Sequence, residues 1–204
     1  MKVKLLFVAA MALVAQPAMA DQCTDAVNAA FTKLRKSDAF RMETRITNAQ
    51  GELGVQTDYV PPDRMHQRVD SGTAAGIVEL IVIGKRAWSN QGKQGWAELP
   101  EKFASTVVAQ MHQTIADRKD DGMTYSCLGE QELEGKRYEA YQAKLPAAPG
   151  ADTSNIQTVY IDKVTKVPAR NIVTPAAATA KRLFDGRFTL LANRQIEQPV
   201  QDTR

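Results

Sequence analysis

The chain has 204 residues, 44% of them hydrophobic and 24% charged. That suits one sizeable core rather than several domains, since domains usually run about 100–200 residues. A net charge of +3, from 26 Lys and Arg against 23 Asp and Glu, gives no basis for nucleic-acid binding, and two cysteines with two histidines exclude a multi-cysteine zinc or iron–sulfur centre and a His-rich metal site.

Lys2 and Lys4 precede the apolar run Leu5 to Ala15, and Ala18-Met19-Ala20 follows. A positive start, a short apolar core and an A-x-A site are the parts of a secretory signal peptide. Residues 1–20 are therefore expected to be removed, and the apolar run falls short of the ~20 residues a membrane helix needs. Removal would leave 184 residues with a net charge near +1. Asp21 and Gln22 stand between the cleavage site and Cys23, which argues against an acylated N-terminus. Export favours a disulfide between Cys23 and Cys127, the chain's two thiols.

Thr24 to Asp38 reads as a helix capped by Thr24, with Val27, Ala30, Phe31 and Leu34 on one face. The period then changes to two. Phe40, Met42, Thr44 and Ile46 alternate with Arg41, Glu43, Arg45 and Thr47; Val55, Thr57 and Tyr59 define a second strand, and Met65, Gln67 and Val69 a third. Ile77 to Ile83 is apolar on both faces, and a fifth strand holds Trp88, with Gly92 to Gly95 turning the chain into Trp96. Phe103, Val107, Val108, Met111 and Ile115 predict a second helix starting near Pro100, stopped by Lys119-Asp120-Asp121-Gly122. Strand signals resume at Tyr125–Leu128 and Lys136–Lys144, and a Pro/Ala/Gly-rich loop covers Leu145 to Thr153. Ile156–Ile161 and Val167–Val173 flank a turn at Asp162 to Lys166. Asp185-Gly186 is read as a further turn, Phe188–Ile196 as the last strand, and residues 199–204 as a polar tail.

Short sequential turns imply an antiparallel meander. The expected fold is mainly β (α+β): a single strongly curved antiparallel sheet over residues 21–198, forming a half-open β-barrel plugged by two α-helices.

Three phrases carry a resemblance. Tyr59-Val60-Pro61-Pro62-Asp63-Arg64, then Glu79 to Gly84, Trp88 and Gly95-Trp96, are similar to strand phrases of the bacterial lipoprotein-carrier (LolA/LolB-like) superfamily. Val159 to Arg170 resembles its aromatic-Ile-Asp-x-x-Thr-x-Leu-Pro-x-Arg hairpin, with Val167 where Leu is usual and Lys166 where Gly is common; Gly135 to Tyr141 fits a further strand element. The family includes periplasmic lipoprotein carriers, mycobacterial lipid-binding lipoproteins and periplasmic regulators that bind an anti-sigma factor. The resemblance thus implies a periplasmic protein that binds a lipid or acyl-chain ligand, with peripheral rather than integral membrane contact, or alternatively a module that holds an envelope protein. The arginine by which the family's carriers hold a lid helix is not carried over. Arg41 and Arg45 lie on the strand face opposite Met42 and Ile46.

Catalysis has little support in the sequence. His66 sits on a polar strand face, His112 adjoins the stripe of the second helix, and no nucleophile elbow, P-loop or dinucleotide fingerprint occurs. Asp120-Asp121-Gly122 lacks the alternating ligands of a calcium loop. No cofactor or metal is called for. The expected ligand cavity is apolar: Met42, Ile46, Val55, Tyr59, Met65, Val69, Leu80 and Val82 line it, and Trp88, Trp96, Phe103, Val107, Met111 and Ile115 form its mouth and stopper. Pliable Met and flat aromatic side chains suit acyl chains. The same residues at the same periods also suit a solid core, and the sequence leaves open which strand face is concave.

Overall fold

A computed structural model describes residues 18–49, 51–72, 76–92, 94–116, 122–146, 154–177 and 182–200. The order is α1 (Ala18–Arg35), β1 (Phe40–Asn48), β2 (Gly51–Val60), β3 (Arg64–Asp70), β4 (Ile77–Ile83), β5 (Arg86–Gln91), β6 (Trp96–Glu98), α2 (Glu101–Ile115), β7 (Ser126–Leu133), β8 (Lys136–Leu145), β9 (Asn155–Ile161), β10 (Pro168–Pro175) and β11 (Phe184–Leu190). The strands form one antiparallel sheet ordered β6-β5-β4-β3-β2-β1-β11-β10-β9-β8-β7. Two meanders therefore meet at a β1–β11 seam, leaving β6 and β7 as edges of an open half-barrel. The edge strand β7 carries a register shift at Cys127/Gly129, a bulge of the kind that blunts exposed edges.

Both helices lie on one face of the sheet. Leu34 of α1 and Ala104, Met111 and Ile115 of α2 share a core with Phe40, Tyr59, Met65, Val82 and Ala87. A second core joins Cys23, Val27 and Ala30 of α1 to Tyr125, Tyr141, Val159 and Ile161. The disulfide Cys23–Cys127 closes a sequence separation of 104 residues and fastens α1 to the start of β7.

Four local expectations are corrected. Thr24 does not cap α1, because the helix begins six residues earlier; its hydroxyl donates to the Ala20 carbonyl and accepts from the Tyr125 N–H, each at 3.0 Å. Asp185-Gly186 lies inside β11 rather than in a turn, where the Asp185 carboxylate is held by Arg170 and Arg182. The last strand thus ends at Leu190, and the segment after it packs as irregular chain. A sixth strand, β6, forms where Trp96 was expected only to follow a turn.

α2 runs from Glu101 after Pro100, close to the expected start. The Asp162 turn also forms as read: Val164 and Thr165 N–H donate to Asp162 Oδ1, and Pro168 opens β10, where a missing donor is tolerated. Residues 1–17, the expected stop at 119–121, most of the 145–153 loop and residues 201–204 lie outside the described residues.

Candidate functional site

The pairing register sorts the strand residues into rows. Phe40, Tyr59, Met65, Val82 and Ala87 face one another across β1–β5 and are all buried beneath the helices. Phe40 stacks on Tyr59 with ring centroids 4.9 Å apart. Burial pushes the Tyr59 phenol up, and its hydroxyl meets Thr57 and, on α2, Thr114. This row is solid core.

The next rows change character. Met42, Leu80 and Gln67 are half-buried around a buried Thr57, which accepts a hydrogen bond from Gln67 Nε2 at 3.2 Å. Beyond them Val55, Val69 and Val78 are half-buried beside Thr44, and Ile46, Leu53 and Phe184 are half-buried beside one another. α2 sits chiefly over β5, and α1 over β7, β9 and β10. The helix-bearing face is thus packed at one end of its strands and a half-open apolar surface at the other.

Eight of the residues expected to line a cavity (Met42, Ile46, Val55, Tyr59, Met65, Val69, Leu80 and Val82) share this face. Of these, Tyr59, Met65 and Val82 belong to the solid row. Met111 and Ile115 are buried against that row, with Val107 packed at its margin. Three expected members are elsewhere. Trp88 pairs with Ile81 on the opposite face and packs with Ile196 and Trp96, so neither tryptophan reaches a mouth on the helix side. Phe103 is 62% exposed, because the buried stripe of α2 runs through Ala104 rather than its neighbour. Leu53, Val78 and Phe184 were missed. Strand alternation carried through β2 and β4 finds the first two, but misplacing β11 conceals Phe184.

The opposite face is a charge network. Arg41 Nε and Nη2 donate to the two carboxylate oxygens of Asp58 at 2.6 and 3.0 Å, and Arg194 Nε adds a third bond at 2.7 Å. Burial alone would raise the Asp58 carboxyl, but hydrogen bonds from both arginines and their charge hold it below the ordinary value. Arg194 Nη2 lies 3.2 Å from His66 Nδ1, and His66 Nε2 lies 3.3 Å from Glu79, so His66 is enclosed rather than free in solvent. His112 is exposed on α2. Arg64 donates to the Ile196 carbonyl at 2.6 Å, which seats the C-terminal segment over Ile81 and Trp88.

Farther along this face, Arg170 binds Asp185 and Glu134, and Arg187 binds Glu134. Asp185 is likewise held low, its burial outweighed by Arg170 and Arg182. Asp162 is depressed chiefly by the Lys136 ammonium, 2.6 Å away, and by the turn's backbone N–H groups. A cleft of about 620 Å³ opens here between Glu43, Arg45, Arg68, Asp70, Arg170 and Arg187, and Thr44 and Val55 also border it. Its charged walls do not suit an acyl chain. A smaller slot of about 260 Å³ lies on the helix side, between Ala26, Ala29 and Ala30 of α1 and Tyr141 and Ile161.

Among the described residues, no group of three or more His, Cys, Asp or Glu could hold a metal, and no helix is long and apolar enough to cross a membrane.

The open antiparallel half-barrel with helices on its apolar face is the architecture that the LolA/LolB-like resemblance implied. The chain is similar to the Mycobacterium tuberculosis lipoprotein LppX at 12% identity and a TM-score of 0.50, over 83% of this chain and 93% of that one. It is also similar to an uncharacterized conserved protein from Thermus thermophilus, at 16% identity and a TM-score of 0.47, over 91% and 96% of the two chains. Pseudomonas aeruginosa MucB, solved with MucA, matches at 12% identity and a TM-score of 0.46, over 82% of this chain and 55% of that one. No family model and no curated protein matches the sequence.

Proposed function

We propose that the protein binds the acyl chain of a lipid or acylated molecule along the helix-bearing face, and works as a carrier in the periplasm after cleavage behind Ala20. The carrying observation is the half-buried apolar surface of Ile46, Leu53, Val55, Val69, Val78, Leu80 and Phe184, continuous with the packed row beneath α2. Apolar surface left contiguous and incompletely covered on a folded chain is where a ligand or partner gains most from burial. The rest of the reading is binding without turnover.

Protein purified from a bacterial periplasm, extracted with organic solvent and analysed by mass spectrometry, is expected to yield a lipid, and N-terminal sequencing to begin at Asp21. Recovery of no lipid, together with no uptake of a fluorescent fatty acid, overturns the reading. One stoichiometric envelope protein on an otherwise empty chain would identify an interaction module instead.

A further inference from the structure

Two buried polar atoms without partners among the described residues lie on the helix-bearing face. Thr44 Oγ1 on β1 and Asn171 Oδ1 on β10 are buried, and among the described residues neither has a hydrogen-bond partner. Thr44 as a residue is only 5% exposed. The register sets both opposite Gly186 of β11, so the three residues form one row on the helix-bearing face. Buried donors and acceptors are nearly always paired, and an exception calls for a reason.

Gly186 supplies part of that reason. It has no side chain, and the ring of Phe184 lies across it, with Cε1 2.9 Å from where a Cβ would stand. Phe184 is half-buried and sits beside Ile46. Rotation of this ring about its own side-chain bonds would uncover a glycine-floored notch flanked by the hydroxyl and the amide. The neighbours on the same face (Ile46, Val55, Val159 and Val173) are uncharged. An ionised group placed there would lose water without gaining a counter-charge.

We infer that Thr44 and Asn171 form a polar subsite for the neutral ester or hydroxyl group of an acylglycerol-type lipid, with Phe184 as its cover. The subsite rests on the acyl-chain reading above. Thr44 donates to a ligand carbonyl oxygen, and Asn171 Oδ1 accepts from a ligand hydroxyl. Chains with a charged carboxylate gain nothing from it.

The test compares displacement of a bound fluorescent fatty acid by 1-oleoylglycerol and by oleate. For Thr44→Val and Asn171→Leu the affinity for 1-oleoylglycerol is expected to fall about 5- to 10-fold each, the scale of one lost hydrogen bond, while that for oleate changes less than about 2-fold. Thr44→Ser, which keeps the hydroxyl, is expected to retain affinity. Ligand-free Thr44→Val is expected to melt no lower than the parent, because it removes an unpaired buried hydroxyl; a variant that fails to fold leaves Asn171→Leu and Thr44→Ser to decide. Equal losses for both lipids, or no loss for either, overturn the subsite and leave the acyl-chain reading standing. Failure of the parent protein to bind both lipids overturns the acyl-chain reading and the subsite together.

Discussion

The two faces of β1–β3 are built from the same residues in alternation, yet they solve different problems. On the helix side Met42, Thr44 and Ile46 step from packed core to half-open apolar surface. On the other side Arg41 is committed to Asp58, and the row continues through His66 to Ile81 and Trp88 under the C-terminal segment. One face is tied by directional, charge-assisted bonds, whereas the other relies on non-directional contact that fades along the strand. The first arrangement fixes the sheet's position, and the second leaves the far rows of the apolar face only half-buried.

The comparison is tested most severely by the elements that hold the helices down. Cys23→Ser with Cys127→Ser is expected to lower unfolding free energy by about 4–5 kcal/mol in the chain-entropy limit for a loop of this length, measured by urea denaturation against the oxidised parent. Met111→Ala, which empties a fully buried site, is expected to cost about 2–5 kcal/mol and to loosen α2 first, visible as faster amide exchange over Glu101–Ile115.

The charged face is tested by pH. The carboxylates of Asp58, Asp185 and Asp162 are all held below their unfolded values. Their contribution is therefore complete above the unfolded value of about 4 and is lost as pH falls through the lower folded values. Melting temperature is expected to stay level from about pH 8 to about pH 5 and then to fall; Asp58→Asn is expected to lower it at neutral pH and to flatten the acid slope. An unchanged slope would remove the network from the account.

The smallest expected stability effect falls on the open rows. Val69→Thr is expected to shift stability by less than about 1 kcal/mol while weakening acyl-chain uptake, whereas an equal loss of stability and uptake would make this surface ordinary core.

Much of this division was legible in the sequence. Strict alternation in β1–β3 assigned Met42, Ile46, Val55, Tyr59, Met65 and Val69 to one face, and put Arg41 on the other, because a period of two leaves no choice once a strand is found. It failed where alternation carries no information. β4 is apolar on both sides, so the face of the following strand depends on the turn at Gly84-Lys85, which pairs Ile83 with Arg86 and sends Trp88 away from the helices. Asp185-Gly186 has the composition of a turn, but long-range pairing to Arg170 keeps it in a strand. Arg194 and Ile196 lie in a segment without any period, and their partners stand more than a hundred positions upstream.

The strand order has one further consequence. The two sheet edges, β6 and β7, are consecutive in the chain, joined through α2 and the residues after it. The strands that bound the open side of the half-barrel are therefore sequence neighbours, each paired to another strand instead of to the other. α2, which follows β6 directly in the chain and packs chiefly on β5, thereby covers the apolar face beside one edge while α1 covers it beside the other.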